Sequence, residues 1–214
     1  MSQPRQPGIP HPRLPLPEGE EDLAAFQHWL EAAIPMVEAL GITRMSQASG
    51  ALTWQLALTP NLNDKGTGFG GALSAQATLQ GWCWVTLWLR QQGRAQDVVV
   101  AEASQRFLAP VTGDYRMTCA PSYPDGPAQP AAKLSERGKG SIELTHQLYC
   151  GDSLCLEAIG RYAVLPNAWA GKGLLFHGLD HRICAVLLRK AAPNSRAKMW
   201  RGVRVVEGAR LESV

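Results

Sequence analysis

From Gly66 to Leu89 the chain runs for twenty-four residues without a charge. A stretch of that length either crosses a bilayer, for which about 20 apolar residues suffice, or lies buried inside a folded domain. Ser74, Gln76, Thr78, Gln80 and Thr86 interrupt it, and Gly70-Gly71 stand near its start. The interruptions favour a helix that is apolar most of the way round and enclosed by its own domain, so no membrane span is expected. With 214 residues, 45% of them hydrophobic and 18% charged, the chain is long enough to bury about two-thirds of its unfolded surface around such a helix. Collagen-like, disordered and secreted disulfide-rich classes are excluded on composition. The five cysteines (Cys83, Cys119, Cys150, Cys155 and Cys184) are odd in number and include no CxxC pair. Reduced thiols in a cytoplasmic protein are therefore expected, with neither a disulfide framework nor a zinc site.

The flanking segments supply the rest of the domain. Leu23, Phe26, Leu30, Ile34 and Val37 recur at helical steps, predicting an amphipathic helix over Glu20–Leu40 that Pro35 breaks or kinks. Leu52, Trp54, Leu56 and Leu58 alternate with polar or small neighbours and predict a strand. A turn cluster at Pro60–Gly66 leads into the long helix, predicted at about Gly70–Gln92 and closed by Gly93. Four strands follow, within 97–109, 115–119, 141–149 and 154–165, with a loop over Pro121–Pro130 and a tight turn at Cys150-Gly151-Asp152. Antiparallel strands with one apolar helix predict an α+β domain, a sheet of about five strands curled around that helix.

The ends differ from this core. Residues 1–20 hold six prolines and no apolar run, which predicts a flexible or polyproline-type extension and not a signal peptide. From Gly171 onward nine Lys/Arg face three acids, so this stretch carries +6 and the remainder −3 of the net +3. A nucleic-acid-binding protein carries its basic charge on the folded domain; here the domain is slightly acidic and no nucleic-acid partner is expected. The division is thus a Pro-rich extension over 1–20, a domain over 21–166 and a basic tail over 167–214.

The element order, together with Asn63-Asp64-Lys65-Gly66-Thr67-Gly68-Phe69-Gly70-Gly71, resembles the hot-dog superfamily. In its phenylacetate-type thioesterase branch the loop entering the central helix reads N-x-x-G-x-x-H-G-G; here Phe69 takes the place of the histidine. Phe107-Leu108-Ala109-Pro110-Val111-Thr112-Gly113-Asp114 resembles the superfamily strand that ends in a Pro…Gly turn. The loop with Gly81-Trp82 after it is similar to the YiiD C-terminal-type thioesterase family, over about Leu23–Pro166. The resemblance implies a homodimer or dimer of dimers and an acyl thioester carried on coenzyme A or acyl carrier protein. No cofactor and no metal are expected.

Within that resemblance, four residues are candidates for catalysis. The backbone N–H groups of Gly70 and Gly71, with a helix dipole behind them, suit an oxyanion hole for the thioester carbonyl; the alternative is that the glycines only permit close packing. Asn63 offers an amide to the same oxygen or to a water, or else forms a turn. Asp64 is a candidate base, or a turn cap. Thr67, Phe69, Gln76 and Thr78 are the expected substrate contacts. Thr78 stands nine positions past Phe69, where the phenylacetate-type branch has its catalytic aspartate. A neutral hydroxyl and a phenyl ring thus replace the two titratable groups of that branch, and neither serves as a general base near neutral pH. Hydrolysis then needs Asp64 or a carboxylate from the partner subunit. Decarboxylation of a malonyl thioester, which needs no base, is the alternative, as in the malonyl-acyl-carrier-protein decarboxylases that resemble this group. A non-catalytic acyl-coenzyme A-binding module is a further one. His146 is expected as a satisfied core histidine. His177 and His181 lack the glutamate of an H-E-x-x-H metal motif.

Overall fold

The computed structural model describes residues 8–166; the basic tail, His177, His181 and Cys184 lie outside them. The charge-free stretch forms a single helix, α2 (Gly70–Gln91), of 22 residues. Around it runs one antiparallel, curved sheet of six strands in the order β1-β2-β4-β5-β6-β3. In chain order the strands are β1 (Ile42–Ala48), β2 (Ala51–Leu56), β3 (Val98–Phe107), β4 (Tyr115–Pro121), β5 (Gly140–Cys150) and β6 (Ser153–Val164). The inner face of the sheet carries Leu52, Trp54 and Leu56, then Tyr115, Met117 and Cys119, then Ile142, Leu144 and Leu148, every one of them buried. Strand alternation puts these on one face and Thr53, Gln55, Arg116 and Thr118 on the other.

The predicted helix over Glu20–Leu40 is two pieces. Helix α1 (Leu23–Ala33) is capped by Asp22, whose carboxylate accepts from the Ala24 and Ala25 amides at 2.9 and 3.0 Å; such a cap contributes about 1 kcal/mol. Pro35 then starts a separate 3-10 turn over Pro35–Leu40. Phe26 and Leu30 bury the inner face of α1.

The sheet, expected with about five strands, has six: β1, read Ile42-Thr43-Arg44-Met45-Ser46-Gln47-Ala48, has only Ile42 and Met45 buried and a register shift between Ile42 and Arg44, so no alternation survives in its sequence. The region expected as a loop to Pro130 contains the start of helix α3 (Ala128–Arg137), where Pro130 sits in the first turn, the one place a helix accepts proline. The described part of the Pro-rich extension makes side-chain contacts with the domain. The Arg90 guanidinium on α2 donates to the carbonyls of Leu14 and Pro15 at 2.9 and 2.7 Å and grips Glu21 with two bonds of 2.8 and 2.9 Å. Trp29 Nε1 donates to Pro12 O at 2.8 Å, and Arg13 bonds the Ala95 carbonyl and the Asp97 carboxylate. Extended proline-rich chain exposes its carbonyls, and these carbonyls are what Arg90, Trp29 and α2 use.

Of the polar residues that interrupt α2, Gln76 and Gln80 are paired inside the core, while the Thr86 hydroxyl is buried without a partner among the described residues. Gln76 Nε2 donates to Leu40 O at 2.9 Å, and its Oε1 accepts from the Tyr115 hydroxyl at 2.9 Å. Gln80 Nε2 donates to Met117 O at 2.7 Å and Leu52 O at 3.2 Å, while its Oε1 faces His146 Nδ1 at 3.3 Å. His146 Nε2 lies 3.4 Å from the Tyr162 hydroxyl, which donates to Thr78 O at 3.1 Å. Burial holds the His146 imidazole neutral, with its pKa lowered to about 4. The expectation of a satisfied core histidine matches this placement. Tyr162 approaches α2 so closely that a Cβ on Gly81 would lie 2.1 Å from its hydroxyl oxygen. Only glycine fits there.

Candidate active site

The head of α2 is unlike its middle. The first N–H groups of any helix lack intrahelical acceptors, and here the N-cap residue, Phe69, has no capping side chain. The Gly70 and Gly71 amides therefore point out of the helix with the positive end of its dipole behind them. Beside them opens a cavity of about 340 Å³ lined by Gly68, Leu73, Phe107, Leu108, Ala109, Pro110 and Val111. Two phenyl rings flank the glycines. A Cβ on Gly71 would lie 2.6 Å from the Phe69 ring, and one on Gly70 would lie 3.5 Å from the Phe107 ring. Both rings are half-exposed, at 55% and 54%. A side chain at Gly71 would have to push the half-exposed Phe69 ring aside, whereas Gly70 has ordinary van der Waals clearance.

The loop before the helix is held by its own polar groups. Asn63 Oδ1 accepts from the amides of Lys65 and Thr67 at 2.8 and 3.1 Å, and its Nδ2 donates to Thr67 Oγ1 at 2.9 Å and Gly68 O at 3.4 Å. The Gly68 amide donates to Val111 O and the Phe69 amide to Asn61 O, at 2.8 and 2.7 Å. These bonds aim the chain at the helix start. The turn-former alternative for Asn63 is the one this geometry displays: its amide is engaged by the loop, which positions Phe69 and the glycines.

The candidate residues thus separate into groups. Phe69, Gly70 and Gly71 lie at the helix start between Gly68 and Leu73, two residues that line the cavity, and Gly70 stands against the Phe107 ring. Asn63 and Thr67 build the loop behind it. Asp64 stands at the exposed loop tip, 3.0 Å from Lys65 Nζ. Gln76 is sealed in the core, with both ends of its amide bonded inside the protein. Burial pushes the pKa of its partner Tyr115 up to about 12, so that hydroxyl stays a donor. Thr78 is half-buried, seven residues beyond Gly71 and so about 10 Å along the axis. Residues the sequence reading passed over are Leu73, Phe107, Leu108 and Val111. The only signal for them was the Phe107–Asp114 segment, where Phe107 and Leu108 remain exposed at the end of a strand.

The family model described as "Putative thioesterase (yiiD_Cterm)" matches residues 23–166. The chain belongs to this family. Among solved structures, a Shewanella oneidensis protein described as a putative thioesterase is 30% identical, with 67% of this chain and 97% of that one covered and a TM-score of 0.58. A protein of unknown function from Chlorobaculum tepidum is 26% identical over 67% of this chain and 94% of its own, with a TM-score of 0.62. A Haemophilus influenzae thioesterase, 16% identical over 76% and 99%, shares the fold with a TM-score of 0.55. The architecture is the hot-dog fold, and the family is one of thioesterases. No helix among the described residues is long and apolar enough to cross a membrane.

Proposed function

We propose that this protein hydrolyses acyl thioesters of coenzyme A or acyl carrier protein at the head of α2, as a cytoplasmic homodimer. The observation that carries the reading is a helix start without a capping side chain, at Gly70 and Gly71, next to an apolar cavity that Gly68 and Leu73 line on either side of them. A thioester carbonyl placed there gains two N–H donors as its oxygen becomes negative, in a site the two phenyl rings shelter from water. Water adds to the carbonyl carbon, the C–S bond breaks, and the thiol leaves with a proton. The water's proton goes to a carboxylate, either Asp64 at the tip of this loop or one from the partner subunit. Dimerisation is supported by β3, an edge strand of ten residues that is exposed along nearly its whole length and includes half-exposed Val99, Val100 and Phe107. Such an edge is a template for pairing with a second chain.

A second reading is favoured by the lining of the cavity, whose residues bear neither a carboxylate nor an imidazole. Loss of carbon dioxide from a malonyl thioester leaves its bonding electron pair on the thioester as an enolate. That step asks for the two amides and a poorly solvated carboxylate, and no base. Incubating the protein with malonyl, acetyl and longer acyl thioesters, followed by mass spectrometry of the intact species, separates the readings. Free thiol is expected for hydrolysis, and an acetyl thioester for decarboxylation. Binding without either product would leave a non-catalytic module and overturn both. Light scattering at micromolar concentration tests the dimer: a monomer refutes it.

A further inference from the structure

The chain segment that walls the cavity at the head of α2 has a second opening beside it. Val111 lines that cavity, and Asp114 and Tyr115 line a separate cleft of about 330 Å³, with Thr43, Gln55, Arg116 and Tyr149. Val111 and Asp114 are three residues apart, at most about 11 Å of chain. One turn thus separates an apolar cavity from a polar cleft.

The register explains the cleft's chemistry. Arg44 pairs with Gln55, Gln55 with Arg116, and Arg116 with Tyr149, across four neighbouring strands. Cross-strand partners share a face, so two guanidinium-bearing residues and an amide stand in one row on the outside of the sheet. Arg116 is fixed there by non-ionic contacts: its guanidinium lies 4.8 Å from the centre of the Tyr149 ring, and Nη1 donates to Gly151 O at 3.3 Å. Among the described residues neither Arg44 nor Arg116 has a carboxylate within ion-pair distance. The one carboxylate in the cleft, Asp114, has Oδ1 engaged by the Leu58 amide at 2.9 Å. The Thr43 hydroxyl donates to Gln55 O at 3.1 Å. A planar guanidinium with no carboxylate within ion-pair distance, in one cross-strand row with a second arginine and the Gln55 amide, suits a phosphate group.

We propose that this outer-face cleft is a phosphate subsite, receiving the phosphate-bearing end of a pantetheine thioester whose acyl end occupies the cavity at the head of α2. The assignment rests on the thioester reading above. The phosphate is chemistry shared by coenzyme A and by the phosphopantetheine arm of a carrier protein.

The test uses the full chain and calorimetric titration with coenzyme A, 4′-phosphopantetheine, pantetheine and inorganic phosphate, for the native protein and for Arg116→Ala and Arg44→Ala. Each variant is expected to weaken coenzyme A binding about five- to ten-fold, the scale of one exposed charge-assisted contact, with melting temperature unchanged. Pantetheine should bind both variants as it binds the native protein. Phosphopantetheine equal to coenzyme A would locate recognition in the arm, and a weaker phosphopantetheine would locate it in the nucleotide; the subsite stands in either case. Undiminished coenzyme A binding by Arg116→Ala, pantetheine as tight as coenzyme A, or inorganic phosphate as tight as coenzyme A would each overturn it. Should no thioester be turned over while Arg116→Ala still weakens coenzyme A, the hydrolase reading fails and the subsite survives.

Discussion

Helix α2 holds two regions built on opposite rules. In its middle, from Gln76 to Gly81, the two buried amide side chains are paired: Gln76 with Leu40 and Tyr115, Gln80 with Leu52, Met117 and His146. At its head the Gly70 and Gly71 amides lack a capping side chain and stand beside a cavity lined by their neighbours Gly68 and Leu73. A buried polar group without a partner costs about 1–3 kcal/mol, so the middle holds the fold together by being satisfied. The head leaves hydrogen-bonding capacity unspent, where a ligand can use it. Disturbing the middle should therefore read out in stability, and disturbing the head in turnover.

The sharpest break of the stabilising side lies at the far end of the same helix. Arg90→Ala leaves Glu21, whose side chain is 5% exposed, without its counter-charge. We expect a loss of about 4 kcal/mol, the usual cost of orphaning a buried ion, seen as a lowered denaturant midpoint. A smaller drop than about 1 kcal/mol would mean the Pro-rich strap does not hold α2. Gly81→Ala drives a methyl group into the Tyr162 hydroxyl and should cost about 3 kcal/mol. Unchanged stability there would show that Tyr162 moves aside freely.

Acid should find the same middle region. His146 is held neutral with its pKa at about 4, below the ordinary 6.5. The unfolded chain takes up a proton as pH falls through 6.5 and the native protein does not, so stability is full above that pH. It should decline toward pH 4 by about 3 kcal/mol in all, and level off below. Urea midpoints measured across this window check the slope, and His146→Gln should flatten it; an equally steep slope in the variant would place the pH dependence elsewhere.

The smallest stability change and the clearest functional one belong to the head. Gly71→Ala should leave the melting temperature within a degree or two and lower kcat about ten-fold, because the new methyl displaces the Phe69 ring over the amides. Adding Phe69→Ala should recover part of that loss. If Gly71→Ala instead unfolds the protein, the head belongs with the middle and the comparison fails.

Sequence legibility follows the same division. Helix α2 was readable because twenty-four residues without charge allow few placements, and β2, β5 and β6 because inward and outward residues alternate in them. Strand β1 was unreadable because a register shift and a polar sequence erase the period of two. Helix α3 hid behind a cluster of prolines and glycine. The loop motif singled out Phe69, Gly70 and Gly71, and the structure places them at the helix start beside a cavity lined by Gly68 and Leu73. Gln76 was expected as a substrate contact within the family resemblance, and its place on the helix does not reveal that Leu40 and Tyr115 lie within reach.

The amino-acid order by itself determined local facts: where the long helix starts and stops, which strands have one dry face, and that two glycines open the helix. Those follow from steric and solvation preferences acting between near neighbours in the chain. Tertiary structure alone decided which polar groups are satisfied. Arg90 meets Leu14 and Pro15, Gly71 lies under Phe69, and Gly70 faces Phe107 across 37 residues of chain. Each of those meetings depends on how the sheet curves around α2, and hydrogen bonding and packing depend on that proximity and not on order in the chain.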